Sequence, residues 1–168
     1  PRNATVDAGR SAGAAGPLPR SEHEAQRFLA GHGVPVVPTE LCRNAAEASA
    51  AARTFGGMVA MKVASPDIAH KSDVGGVRVG VPVGEVSTAF DEIVGAVAAR
   101  RPDAVIDGVL VSPMRTGGVE MIVGISHDPQ WGPALVVGFG GVLVEVMKDT
   151  SLRLLPVGEA EILEMLGE

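Results

Sequence analysis

One run of residues concentrates the chemistry available to this sequence: Lys62-Val-Ala-Ser65-Pro-Asp67-Ile-Ala-His70-Lys71-Ser72-Asp73-Val-Gly75-Gly76-Val77. Lys62 falls inside an apolar strand pattern, Met58-Val-Ala-Met-Lys-Val, where an ammonium is costly to bury unless it meets an anion. The loop that follows sets a histidine, a second lysine, two aspartates and two serines ahead of a glycine pair. Gly75-Gly76 permits positive φ and close approach of the backbone, so a turn there can aim N–H groups at a phosphate. Each residue alone has an ordinary reading: a strand lysine snorkels to water, a loop histidine is solvated, and Gly-Gly makes a hairpin turn. Their concentration in one segment is what suits a phosphate-covering flap.

The familiar nucleotide motifs are missing. No Gly-Lys dipeptide occurs, so there is no Walker A loop, and in Gly138-Phe139-Gly140-Gly141 the third glycine of a dinucleotide fingerprint is replaced by Leu143. The net charge of −6 argues against a duplex-binding surface. With 3% aromatic residues and no Tyr, stacking platforms for single strands are nearly absent, so no nucleic-acid partner is expected. Cys42 is the only cysteine, which excludes an intrachain disulfide and a cysteine zinc cluster and suits a reducing compartment, the cytoplasm. The longest apolar stretch, Pro133 to Met147, contains Glu145 and is shorter than the ~20 residues of a membrane span, so no membrane role is expected.

These residues need elements to position them. Residues 1–17 are rich in Gly, Ala, Pro and Ser without hydrophobic period and read as an interdomain linker. Ser21-x-x-Glu24 has the form of a capping box and opens a helix that Gly31 and Gly33 can end. Asn44-x-x-Glu47 opens a second, running to Phe55, and a third is expected from about Glu85 to Arg101. Strand-type runs cover Val34–Leu41, Met58–Ala64, Val77–Val81, Val105–Val111, Val119–Ile125, Ala134–Phe139 and Val142–Met147. Arg78, on one of these, is expected to face solvent. The order is not the strict alternation of a doubly wound sheet. The expectation is an α+β domain over 18–168, with two lobes of mixed and antiparallel strands split near Ser112–Gly118. The first residue is Pro1 and the last, Glu168, falls within a helical pattern, so both ends read as cuts in a longer polypeptide.

The Lys62–Val77 segment resembles the signature of the ATP-grasp subunit of ADP-forming (NDP-forming) acetyl-CoA and acyl-CoA synthetases. Gly118-Val-Glu120-Met-Ile-Val-Gly124, Asp128-Pro-Gln-Trp131-Gly-Pro133, the stretch from Gly138 through Glu145 to Asp149, and Arg153-Leu-Leu-Pro156 resemble the same family. The likeness runs from about Leu18 to Glu168. It implies an ATP-grasp fold, incomplete at the C-terminus, with ATP or ADP and Mg²⁺ as ligands. It implies that Lys62 binds nucleotide phosphate, that His70 takes phosphate and relays it, and that Lys71, Gly75 and Gly76 cover the phosphates. Val111, Ser112 and Met114 correspond to the interlobe hinge whose backbone meets adenine. Glu120 and Glu145 are the acids for the nucleotide cleft, with Glu145 the metal candidate; a metal role and a structural one stay open for both.

Two departures stand out. The hinge reads Ser112-Pro113-Met114 where the family often has an acid for the ribose, and no Asp-x-Asn-Pro segment follows Pro156. The isolated chain is therefore not expected to complete phosphoryl transfer, which needs metal to neutralise the phosphates. The implied function is the nucleotide-binding part of an acid–CoA ligase, with CoA-binding and CoA-ligase domains as partners. The alternative is a regulatory, non-catalytic ATP-grasp-like module of a multidomain protein acetyltransferase.

Overall fold

The computed structural model describes residues 19–141 and 150–168. The expected linker and the strand expected over Val142–Met147, Glu145 included, lie outside the described residues. The chain divides after Arg115 into two compact units.

The first unit opens with helix α1, Glu22–Gly31. Ser21 caps it by accepting from the Glu24 N–H at 3.2 Å, while the Glu24 carboxylate accepts from the Arg20 N–H at 2.7 Å. Helix α2, Ala45–Phe55, starts the same way: Asn44 accepts from the Glu47 N–H at 2.9 Å and Glu47 from the Arg43 N–H at 2.7 Å. In both, the returning arm of the box reaches one residue further back than the cap itself. Between them the strand expected from Val34 shrinks to β1, Glu40–Cys42. Pro35 and Pro38 have no N–H to give a ladder, so pairing begins only beyond them.

Strand β2, Met58–Ala64, leads through the chemistry-bearing loop to β3, Val77–Pro82. A short 3₁₀ turn at Val83–Glu85 feeds α3, Val86–Arg100, and β4, Gly108–Pro113, closes the unit. β4 starts three residues later than the apolar run predicts. The Val105 N–H is committed to the Asp67 carboxylate at 2.8 Å and the Asp107 N–H to the Ala64 carbonyl at 2.8 Å, so neither is free for a ladder. Gly108, at φ 148°, sits where a Cβ would be 2.3 Å from the Cys42 carbonyl oxygen, and only glycine lets β4 pass β1 there.

The sheet order is β1-β4-β2-β3, and every pairing in it is antiparallel. Each helical crossover, β1-α2-β2 and β3-α3-β4, skips one strand, giving a split β-α-β arrangement. Alternation along β2 then sorts its side chains: Val59, Met61 and Val63 are fully buried in one core with Ala48, Ala52, Val86, Phe90, Ile93 and Val97 of the helices. Lys62 points to the other face.

The second unit is a three-stranded antiparallel sheet of β5, Met121–Asp128, β6, Gly132–Phe139, and β7, Thr150–Leu154. β5 begins two residues after the apolar run and extends past it to Asp128. There the Asp128 carboxylate accepts from the N–H groups of Gln130 and Trp131, both at 2.8 Å, and Gly132 at φ 85° completes the turn. Helix α4, Glu159–Met165, buries Met165. Beyond it Glu168 accepts from the Ser151 hydroxyl at 2.6 Å and pairs with Arg153.

Candidate functional site

Lys62 owes its place to register. It lies opposite Leu110 of β4 and Val77 of β3, on the sheet face that α2 and α3 leave uncovered. Its side chain is 43% exposed, so the ammonium keeps part of its hydration, and the strand lysine is not a core residue. On the same face stands Glu22, from the first turn of α1. Its Oε1 is 3.1 Å from Lys62 Nζ, and its Oε2 is 3.2 Å from Lys71 Nζ. One carboxylate thus bridges two ammonium groups from different segments. Burial alone would raise the Glu22 pKa, but hydrogen bonds and charge attraction from Lys62 and Lys71 outweigh it and hold the carboxyl below its ordinary value.

The loop between β2 and β3 brings His70 and Lys71 to this place. Ile68 is buried and pins the loop to the core, and Ser65 accepts from the Asp67 N–H at 3.1 Å. Asp67 holds the loop from the other side, through its carboxylate to Val105 and its carbonyl to Arg101 at 3.3 Å. The turn from His70 to Gly76 closes on itself: Gly75 N–H donates to the Ser72 carbonyl at 3.1 Å and Gly76 N–H to the Lys71 carbonyl at 2.8 Å. As placed, both glycine N–H groups are spent within the loop. What the pair supplies is shape. Gly75 has φ 73°, and a Cβ on Gly76 would lie 2.6 Å from Val63 Cγ1.

Glu22, Lys62, His70, Lys71, Ser72 and Asp73 line a cleft of about 470 Å³. It is open and polar, with His70 exposed at its wall. Such a cleft can take a compact polyanion, with a nucleophilic imidazole in reach of solvent. The structure therefore brings Lys62, His70 and Lys71 together. Glu22 joins them unforeseen; nothing in its local spacing marks an acid placed 40 residues before Lys62. The one available signal was the need of two close ammonium groups for an anion.

Residues 12–168 match the ATP-grasp domain. The chain belongs to the ATP-grasp domain family. It is 47% identical over 140 residues to the ADP-forming acetate–CoA ligase I of Archaeoglobus fulgidus, covering 83% of this chain and 20% of that protein. To the beta subunit of the ADP-forming acetate–CoA ligase I of Pyrococcus furiosus it is 40% identical over 151 residues, covering 89% of this chain and 65% of that one. Among solved structures, the acetyl-coenzyme A synthetase 1 of Ca. Korarchaeum cryptofilum, in complex with coenzyme A, Ca-AMPCP and HgCl⁺, superposes with a TM-score of 0.83 at 41% identity. That match covers 88% of this chain and 65% of its counterpart. This ATP-grasp chain thus spans a fifth to about two thirds of the length of these relatives.

The remaining expected site residues of this ATP-grasp chain are placed as follows. Val111 is fully buried and paired on both sides, with Glu40 and with Met61. Ser112 pairs with Ala60 alone, and the Met114 N–H donates to the Met58 carbonyl at 2.9 Å. Glu120 belongs to the second unit, where its carbonyl accepts from the Gly140 N–H at 2.7 Å and its carboxylate lies over Gly141. Glu145 lies outside the described residues. Among the described residues, no group of three or more His, Cys, Asp or Glu side chains converges as metal ligands. Among the same residues no helix is long and apolar enough to cross a membrane.

Arg78 corrects a simple alternation. β3 carries a bulge between the positions opposite Val59 and Met61, with Gly80 at φ 68°, and this extra residue sets Arg78 opposite Met61. Its guanidinium then lies 3.8 Å from Glu92 of α3, and the pair stays at the surface, with the Arg78 side chain 41% exposed.

Proposed function

We propose that this ATP-grasp chain handles the nucleotide in an ADP-forming acid–CoA ligase. Lys62 and Lys71 bind phosphate oxygens of ATP or ADP as point charges, a role suited to an ammonium because it tolerates varied oxygen orientation. His70 is the phosphoryl acceptor. An imidazole nitrogen attacks the γ-phosphorus, the bond to the bridging oxygen breaks, and ADP leaves with that electron pair. The phosphoryl group passes from His70 to the carboxylate of the free acid, freeing the imidazole and giving an acyl phosphate. On partner domains of the same chain or another subunit the CoA thiol attacks its acyl carbon and inorganic phosphate leaves. The reaction runs in the cytoplasm. Mg²⁺ bound to the nucleotide would neutralise charge between the phosphates.

The convergence of Lys62, Lys71 and His70 on one cleft carries this reading. The identity to ADP-forming ligases, and the nucleotide analogue held by the Korarchaeum synthetase, support it. The test is labelling of the full parent protein with γ-labelled Mg-ATP, beside His70→Ala. Acid-labile label that disappears in the variant is the expected result. Nucleotide binding without such label would overturn the relay and favour a regulatory nucleotide-binding module.

A further inference from the structure

The geometry points to Glu22 as a built-in competitor for the nucleotide phosphates, holding Lys62 and Lys71 until phosphate displaces it. This deepens the nucleotide reading above and rests on it.

The Glu22 carboxylate does what a phosphate would do. Each of its two oxygens takes one ammonium, at 3.1 and 3.2 Å, across three segments of the chain. The charges in the cleft explain why the two anions exclude one another. Lys62 and Lys71 bring two positive charges, and Glu22 and Asp73 bring two negative ones. With Glu22 in place these four charges cancel, and an incoming phosphate meets no net attraction. With Glu22 turned away, the cleft becomes cationic and both ammonium groups regain free donors.

Glu22 is also free to leave. The helix cap is made by Ser21 and Glu24, so Glu22 has no part in that hydrogen bonding. No residue of α1 is fully buried, and the Glu22 side chain is 29% exposed, so its first turn can move without opening a core. Apart from Lys62, Lys71 and His70, none of the cleft-lining residues offers Glu22 another cation. The bridge therefore also ties α1 to the sheet face, and phosphate binding should loosen that tie.

The test is calorimetric titration of the full chain with ADP, wild type beside Glu22→Gln, with thermal unfolding to show that both are folded. Loss of one unit charge at this range predicts binding about five- to tenfold tighter in Glu22→Gln. Wild-type binding that is unchanged or weakened in the variant would overturn the competitor and leave the nucleotide reading standing, with Glu22 a fixed part of the site. Binding by neither protein would overturn both. A second readout needs no variant: hydrogen exchange of the α1 amides in wild type should quicken on saturation with ADP. Exchange that is unchanged or slower there would mean that the bridge persists, and the competitor idea would fail.

Discussion

Gly76 packs against Val63 so closely that a Cβ on the glycine would lie 2.6 Å from Val63 Cγ1 and 2.9 Å from the Lys71 carbonyl oxygen. The same two residues are joined through the backbone, the Val63 N–H donating to the Gly76 carbonyl at 2.7 Å. The loop that carries His70 and Lys71 is thus fastened at its exit to the strand that carries Lys62. Gly76→Ala is expected to lower stability by about 1–3 kcal/mol, the usual cost of overpacking a buried contact. Denaturant titration measures it. Because Val63 is the obstacle, Val63→Ala should relieve part of that cost, so the double variant should fall short of the sum of the single ones. Strict additivity would show that the clash is with the Lys71 carbonyl alone.

Asp67 governs the entry to the same loop. Its carboxylate accepts from the Val105 N–H at 2.8 Å, a link across 38 residues. Asp67→Ala removes a charge-assisted bond and should cost about 1–2 kcal/mol. The distinguishing readout is local: the Val105 amide should exchange faster in Asp67→Ala, with the α2 amides unchanged relative to the global loss. Protection of Val105 retained in the variant would contradict the tether.

The elements were legible where local chemistry decides them. Capping residues mark the starts of α1 and α2, and the run Met58–Ala64 matches β2 to the residue. Strand limits were less so, since they depend on partners that a single run does not reveal. β1 is cut short by prolines, and β4 is delayed because Val105 spends its N–H on Asp67 of the loop and Asp107 its own on Ala64 at the end of β2. Lys62, His70 and Lys71 stood out because polar groups of that kind are unusual between two apolar strands. Glu22 did not, because an acid in a helix's first turn already has a local explanation in the helix dipole. The bulge in β3 was equally hidden, and with it the turning of Arg78 toward Glu92.

The bridge from Glu22 gives a pH signature. Burial would raise the Glu22 pKa, yet Lys62 and Lys71 bring it below the ordinary value of 4.5. A depressed folded-state pKa means stability that is present above the unfolded value and lost as pH falls through the folded one. Wild type should therefore be more stable than Glu22→Gln near neutral pH, and the two should converge as pH drops below the ordinary glutamate value. The rest of the cleft, His70 and Asp73 included, is the same in both proteins, so the difference between them isolates Glu22. Urea titrations at several pH values check it. A difference that stays constant through the acid range would mean that Glu22 contributes through packing and not through charge.

Cys42 closes the case for a structural, unreactive thiol. It is 2% exposed, and its Sγ lies 3.8 Å from the Glu40 carbonyl oxygen, to which the S–H donates. Burial first, and then the nearby Glu40 and Glu47 carboxylates, push its pKa up to about 11. At about pH 8 the thiolate fraction is then on the order of a hundredfold below that of a free cysteine of pKa about 8.5. Reaction with a disulfide reagent should accordingly be negligible in the folded chain and become prompt in denaturant. The same reagent then reports on opening of the β1–α2 region, since β1 must leave the sheet before the sulfur meets solvent. Prompt labelling of the folded protein would show that β1, the shortest strand of this sheet, is open in solution.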